Sequence, residues 1–443
     1  MRRSSEPRLD PVDAEYLLRL QRASFTYFLR ETDPATGLVR DSTHVGSPAS
    51  ITAIGLALTA YVVACERGFM SRDEARARTL TTLRFLRNSP HGPQADAAGH
   101  RGFYYHFLSM NSGRRVWKWE LSTIDTTYLI AGALCARAYF EGADSAEVEI
   151  RRIGEELYRR VDWAWATAGG RTIALGWTPE RGFLPHRWRG YSEATLLYLL
   201  ALGSPTHPIR PQGYAAATSS YEWRTLYGLE YVFAGPLFIH QLSHVFVDFR
   251  GIRDAYMRKR GIDYFENSRR ATFAQQRYAM DNPHGFAGYG EFCWGITACE
   301  GPGPATLRIG GEKRRFFDYV ARGIPDGPDD GTLAPWAVVA SLPFAPEVVL
   351  PTIRSIDEMG VGKSGPYGFQ ATFNPTFPAN TPDPCGWISP RNFGLNDGPI
   401  VLMIENFRSG LIWETFKKCP FLIRGLRRAG FRGGWLRKAR AAS

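Results

Sequence analysis

Apolar residues recur at helical spacing in stretch after stretch of this chain, over 14–29, 51–64, 75–86, 126–140, 150–164 and 194–202, then 237–246, 256–278, 334–342, 346–359 and 400–416. Each such stretch carries an apolar stripe that is buried against another element, and strand-like alternation is scarce, so an all-α fold is expected. The stretches are separated by Gly- and Pro-rich loops such as 282–290 and 375–385. No Pro/Ser linker or low-complexity tract divides them, and no consensus returns at the repeat periods of helical solenoids. The expected organisation is a short extension over 1–14, one helical domain over 15–431 and a basic tail over 432–443. About a dozen helices in one domain point to a closed toroid of helical hairpins, since a four-helix bundle needs far fewer residues.

Composition narrows the functional classes. With 44% hydrophobic and 22% charged residues the chain packs a core, which excludes extended disorder and rod-like coiled coils. Its net charge of +11 is concentrated at the C-terminal end. Nine Lys and Arg and no acid lie from Lys417 onward, leaving only +2 for residues 1–416. Without a reader motif this basic end gives no reason to expect a nucleic-acid partner. The six cysteines, at 65, 135, 293, 299, 385 and 419, form no CxxC pair, so reduced structural thiols are expected and neither a zinc ribbon nor a redox motif. No apolar run approaches the roughly 20 residues of a membrane span. The first residues lack the apolar run of a signal peptide, so a cytoplasmic location is the expectation, and the periplasm if an export signal precedes them. The reading calls for no cofactor, and it leaves the oligomeric state open.

Four constellations can carry chemistry. In Trp117-Lys-Trp119-Glu120-Leu-Ser122-Thr-Ile-Asp125, Ser122 and Asp125 have capping-box spacing, which by itself accounts for Asp125, whereas Glu120 lies just outside the cap and close to two Trp that can shelter a carboxyl. In Trp188-Arg-Gly-Tyr191-Ser192-Glu193, Ser192 is an expected N-cap and Glu193 a first-turn acid. The same carboxyl, near aromatics and arginines on a loop entering a helix, suits a general acid for a polyhydroxylated substrate. His240, His244 and Asp248 share one helical face, a weak metal signal. Finally, the loops bearing Tyr289, Glu291 and Trp294, and Phe369, Trp387, Asn396 and Asp397, combine glycines, flat aromatic faces and acceptors that suit sugar rings and hydroxyls.

These residues resemble the bacterial glycoamylase-like domain, the group that includes glycoside hydrolase family 144 endo-β-1,2-glucanases and a domain of cyclic β-1,2-glucan synthases. The motifs are Ser47-Pro-Ala-Ser-Ile51, Glu120-Leu-Ser-Thr-Ile-Asp125-Thr, Gly190-Tyr-Ser-Glu193, Leu202-Gly-Ser-Pro-Thr-His-Pro208, Asp248-Phe-Arg-Gly-Ile252, Gly288-Tyr-Gly-Glu291 and Gly398-Pro-Ile-Val-Leu-Met-Ile-Glu-Asn406. The resemblance implies an (α/α)6 barrel with Glu193, Glu120 and Asp125 as catalytic acid and partners. The aromatic constellations themselves add expected sugar contacts at Trp119, Trp188, Tyr191, Tyr289, Glu291, Trp294, Phe369, Trp387 and Asn396. Ser109, Asn396-Asp397 and Glu300 depart from the family pattern, which bears on linkage specificity. The leading expectation is a glycoside hydrolase or transglycosidase acting on β-glucan, β-1,2-linked above others. A non-catalytic glycan-binding protein and a metal-dependent hydrolase built on His240, His244 and Asp248 are the rivals.

Overall fold

A computed structural model describes residues 9–363, 365–379 and 383–439. The chain forms two compact units. One comprises Tyr27–Tyr221, Ser243–Tyr264 and the chain from Gly410 onward; the other comprises the described start of the chain to Thr26, Glu222–Leu242 and Phe265–Ser409.

In the first unit the helices Ile51–Arg67 and Thr123–Tyr139 are buried on nearly every face, as their uninterrupted small and apolar residues require. They touch backbone to backbone. A side chain on Gly55 would overlap the Tyr128 carbonyl, and one on Gly132 would overlap that of Gly55, so both positions demand glycine. The helices Arg72–Asn88 and Ser145–Arg160 are amphipathic and lie outside this pair, each capped by a residue, Ser71 or Asp144, that accepts first-turn amides. Ser50 and Ser122 cap the two core helices. The short strand Ala49–Ser50 pairs with Phe107–Leu108, and Leu121–Ser122 pairs with Gly176–Thr178. The His106 N–H donates to the Glu120 carbonyl (3.0 Å) and its carbonyl accepts from Ile51 N (3.4 Å). His106, Glu120 and Asp125 are thereby gathered where the two core helices begin.

The second unit contains Pro335–Ala340, Pro346–Met359, Gly394–Arg408 and most of the helices Pro11–Arg30 and Tyr264–Asp281. Buried amides tie these together: the Gln21 side chain donates to Val401 O (2.9 Å) and Glu405 Oε2 (3.1 Å), and the Gln241 side chain to Ala337 O (2.5 Å) and Ser341 Oγ (2.7 Å). Two hairpins, Trp223–Leu226 with Leu229–Val232 and Ala305–Ile309 with Glu312–Phe316, supply strand that was not expected.

Several boundaries differ from expectation for local reasons. The stretch 256–278 divides at Gly261 (φ 77°) into Ala255–Arg260 and Tyr264–Asp281, and 400–416 divides at Gly410 (φ 69°). Helices Pro211–Thr218 and Pro420–Arg428 fall outside the expected stretches, although each starts with proline. The C-terminal segment, expected as a basic tail, is docked over its described part. Arg432–Gly433 pairs with Ile252–Arg253, the Trp435 indole donates to Asp248 O (2.8 Å) and Leu436 is buried. The six cysteines are free thiols, five of them buried. Among the described residues no helix is long and apolar enough to cross a membrane.

Candidate active site

The first unit concentrates carboxyl groups around one imidazole. His106 Nδ1 lies 3.2 Å from Glu120 Oε1, and its Nε2 lies 3.7 Å from Asp125 Oδ2. Burial opposes the charged ring, but the carboxylates of Asp125, Glu120 and Asp41 outweigh it and push the imidazole up to about 9, so it is an imidazolium at neutral pH. Both oxygens of Asp125 are engaged: Thr52 gives its hydroxyl to Oδ1 (2.5 Å) and Ser122 gives its hydroxyl to Oδ2. The capping geometry expected of Ser122 is present, with its Oγ accepting from Asp125 N (3.1 Å), but the carboxylate turns to the serine hydroxyl instead of the amide. Asp41 is pushed up to about 6 by burial, against the lowering field of His106 and with the Asp125 charge adding to the rise.

Glu193 stands on the neighbouring loop. The helix after it begins at Thr195 with Ala194 as its cap residue, so Ser192 is not the N-cap and Glu193 is not a first-turn acid; the Ser192 hydroxyl accepts only from Ala194 N (3.3 Å). Favourable interaction with the helix dipole therefore does not account for this residue. Its main chain is clamped, the carbonyl accepting from Ser243 Oγ (2.9 Å) and Tyr128 OH (3.3 Å), and Tyr128 sits one turn beyond Asp125. Although the residue keeps some exposure, its carboxyl is desolvated enough to be pushed up to about 7, the nearby Asp125 charge adding to the effect of burial and its own amide opposing it.

Aromatic residues line this group. Trp119 is 42% exposed and meets His106 edge-on at 5.4 Å, while Phe107 stacks on His106 at 4.2 Å. The turn that presents Trp119 uses positive φ at both Trp117 and Lys118, and Arg115 pins it by donating to the Lys118 and Trp119 carbonyls (both 2.6 Å) while pairing with Glu180 (2.7 Å). Trp188 is half-buried and its indole donates to Thr123 Oγ1 (3.0 Å); Tyr191 stacks on Tyr264 at 5.8 Å. The structure thus places the Tyr191 ring, two residues before Glu193, against Tyr264 and Tyr221, and brings together Glu120, Asp125, Trp119, Trp188 and Glu193. His106 and Asp41 belong with them and escaped sequence reasoning, because nothing in the spacing of Tyr-His106-Phe relates it to Glu120. A polar ring between apolar strand residues was the available signal.

The remaining expected residues lie in the other unit. Tyr289 is half-buried and donates to Asp329 Oδ1 (2.7 Å), Glu291 is exposed, Trp387 is half-buried on a short strand and Asn396 is half-exposed in a first helical turn. Trp294 and Phe369 are corrections: both are core residues, 0% and 2% exposed, and the Trp294 indole is committed to Thr352 Oγ1 (2.9 Å), so neither offers a ring face to a sugar. Asp397 is a buried core acid, not an exposed acceptor, and burial raises its carboxyl well above the usual carboxylate range. The shared helical face of His240, His244 and Asp248 does not exist. His240 ends a 3-10 turn, His244 lies in the short helix Leu242–Phe246, and Asp248 lies beyond it, paired with Arg250 (2.7 Å) and Lys417 (2.7 Å). Burial pushes His240 down to about 4, and its Nε2 faces the Ala234 carbonyl at 3.2 Å. Among the described residues no three His, Cys, Asp or Glu are grouped to hold a metal.

The family model Glycoamylase, described as "Putative glucoamylase", matches residues 185–420. A protein of the same description from Bacteroides uniformis, of known crystal structure, is 30% identical, with 97% of this chain and 99% of that one superposed at a TM-score of 0.84. An endo-β-1,2-glucanase from Chitinophaga pinensis, solved with sophorotriose and glucose, is 26% identical over 95% of this chain and 99% of that one, TM-score 0.82. An exo-β-1,2-glucooligosaccharide sophorohydrolase acting at the non-reducing end, from Parabacteroides distasonis, is 28% identical over 94% of this chain, which spans 58% of that relative's length. These structures are of the (α/α)6-barrel type, and the chain has their fold, as its helical periodicity and motifs led us to expect.

Proposed function

The chain belongs to the glycoamylase family, and on that premise we propose that it hydrolyses β-1,2-linked glucan or its oligosaccharides by carboxyl acid/base catalysis. The linkage rests on the two relatives named for β-1,2-glucan chemistry. The observation that carries the mechanism is a carboxyl poised near neutrality, Glu193 at about 7, under the charge of Asp125, which shares His106 with Glu120.

Glycoside hydrolysis needs one carboxyl to protonate the departing oxygen and a second to attack the anomeric carbon or activate water. Glu193 takes the first role, because an acid with a pKa near the working pH is both protonated and able to give up its proton. Glu120 takes the second, since only one of its oxygens is engaged, by His106, while both oxygens of Asp125 are held by hydroxyl donors. The His106 imidazolium balances the carboxylates and keeps Glu120 oriented. Trp119 offers an exposed ring beside them.

Purified protein is assayed for products on β-1,2-, β-1,3-, β-1,4- and β-1,6-glucans, alongside Glu193→Gln. We expect turnover of the β-1,2 polymer or its oligosaccharides, and a loss of about 100-fold or more in the variant with its fold intact. Binding of glucan without products would replace this reading by a glycan-binding protein, and near-normal turnover by Glu193→Gln would transfer the acid's role to another carboxyl.

A further inference from the structure

We propose that Asp254 is a positioning residue for the acid, holding the Glu193 loop in place through Tyr264 and Tyr191. This rests on the assignment of Glu193 above and adds a residue 61 positions away in sequence to its support.

The loop from Trp188 to Glu193 is tied down at several points. Tyr198 donates to the Trp188 carbonyl (2.7 Å), Gly190 N donates to the Ala217 carbonyl (3.1 Å), and the Glu193 carbonyl is held by Ser243 and Tyr128. Between Gly190, whose positive φ (78°) turns the chain, and Glu193, the structure gives a long-range contact through the Tyr191 ring. That ring lies parallel to Tyr264, 10° between planes, and meets Tyr221 edge-on at 5.5 Å. Tyr264 is fixed in turn, because its hydroxyl donates to Asp254 Oδ2 (2.8 Å), which also accepts from Tyr214 OH (2.7 Å). The other oxygen of Asp254 accepts from Met257 N (2.8 Å). Asp254 and Tyr264 are each 1% exposed and Tyr214 is 4% exposed, so these bonds meet no competition from water. Burial holds both phenols far above their ordinary range and hence protonated, which keeps them donors at any working pH.

A buried carboxylate accepting two phenol hydroxyls and an amide is a rigid anchor, and the plane of the Tyr264 ring follows from it. Tyr191 stands two residues before the acid. Misplacing a catalytic group by about 1 Å can cost of the order of 100-fold in rate, so a ring stack that sets the loop's path acts on the acid without touching substrate.

The test uses Asp254→Asn, which cannot serve both phenols and the Met257 amide at once, and Tyr264→Phe, which keeps the ring and loses only its bond. Each is assayed on β-1,2-gluco-oligosaccharide and on sophorosyl β-fluoride, whose leaving group departs without protonation. We expect kcat on the oligosaccharide to fall about 10- to 100-fold in Asp254→Asn and less in Tyr264→Phe, with KM changed under about threefold and the fluoride largely spared. A second readout is independent of turnover: the infrared titration of the Glu193 carboxyl, taken as a difference against Glu193→Gln, should move below its native midpoint as the loosened loop admits water. Equal losses on both substrates, or an unmoved Glu193 titration in a folded Asp254→Asn protein, would overturn the proposal. Should Glu193→Gln itself fail to spare the fluoride, the fault lies with the acid assignment and not with the anchor.

Discussion

Two regions of this molecule gather charged side chains, and they do so with opposite bookkeeping. In one unit Arg322 and Asp330, both 0% exposed at their side chains, meet in a bidentate pair (Nε to Oδ1 and Nη2 to Oδ2, both 2.8 Å). Every remaining valence finds a partner: the guanidinium also donates to the carbonyls of Cys299 (2.6 Å), Phe317 (3.0 Å) and Asp318 (3.2 Å), and the carboxylate accepts from Phe317 N (2.8 Å) and Thr332 N (3.2 Å). Burial opposes ionisation of Asp330, but Arg322 outweighs it and holds the carboxyl below its ordinary range. In the other unit three carboxyl groups, Asp41, Glu120 and Asp125, bear on a single His106, a fourth, Glu193, feels the Asp125 charge, and two of the four are pushed up toward neutrality. A charge set that closes on itself is structure. A set with surplus acid is left with protons to exchange, and that is what a hydrolytic site needs.

The closed pair is the costlier of the two to disrupt. Arg322→Met removes one partner of a buried pair and strands Asp330 among unsatisfied carbonyls, for which we expect a loss of about 3 to 5 kcal/mol in chemical denaturation. The double variant Arg322→Met with Asp330→Leu should recover part of that loss, because no uncompensated charge remains. A single variant as stable as the parent would show that the pair is dispensable and that closure is not its contribution.

How far each region could be read in advance follows from the range of the interactions involved. Glu120, Asp125 and Glu193 were legible because they sit beside helix starts, where local patterns such as Ser122 to Asp125 announce themselves. His106 and Asp41 were not, since what selects them is their approach to Glu120 and Asp125 across a strand pairing that no sequence window contains. The same limit applied to Trp294 and Phe369: an aromatic residue in a glycine-rich loop reads the same whether its ring faces solvent or core. Arg322 and Asp330 are close in sequence, yet nothing in the exposed-looking run that holds them signals full burial. The helices themselves were legible wherever the apolar stripe ran for three turns or more, and failed at Gly261 and Gly410, where one left-handed residue ends a pattern that the neighbouring side chains would have continued.

At the open end of the comparison the sign reverses, and removing charge should stabilise. The Glu193 carboxyl is raised from its ordinary value near 4.5 to about 7 in the folded chain. The folded state therefore binds more protons than the unfolded one between those values, and stability is lost as pH rises through that window. Glu193→Gln abolishes the loss. We expect the variant to match the parent at pH 4 and to exceed it by about 1 to 3 kcal/mol at pH 8, read from denaturation midpoints at both values. A variant less stable than the parent at pH 8 would mean that the ionised Glu193 is satisfied by groups that offset its burial, and the contrast with Asp330 would narrow.

The smallest effect should come from the rim of the same site, and it separates two ways in which Trp119 can serve it. The ring is partly exposed, and its edge contact with His106 at 5.4 Å gives it a hold on the imidazolium as well as a face for substrate. A sugar stacked on an exposed aromatic ring is bound about equally in ground and transition states, so Trp119→Ala should raise KM for β-1,2-glucan about three- to tenfold with kcat nearly unchanged, the equivalent of roughly 0.7 to 1.4 kcal/mol. If Trp119 instead works by holding His106, the variant should leave KM near normal and lower kcat, because Glu120 would lose the orientation that its imidazolium partner provides. The turn carrying Trp119 is secured by Arg115 through the backbone carbonyls and not through the indole, so truncating the ring leaves that turn in place and the two outcomes can be told apart.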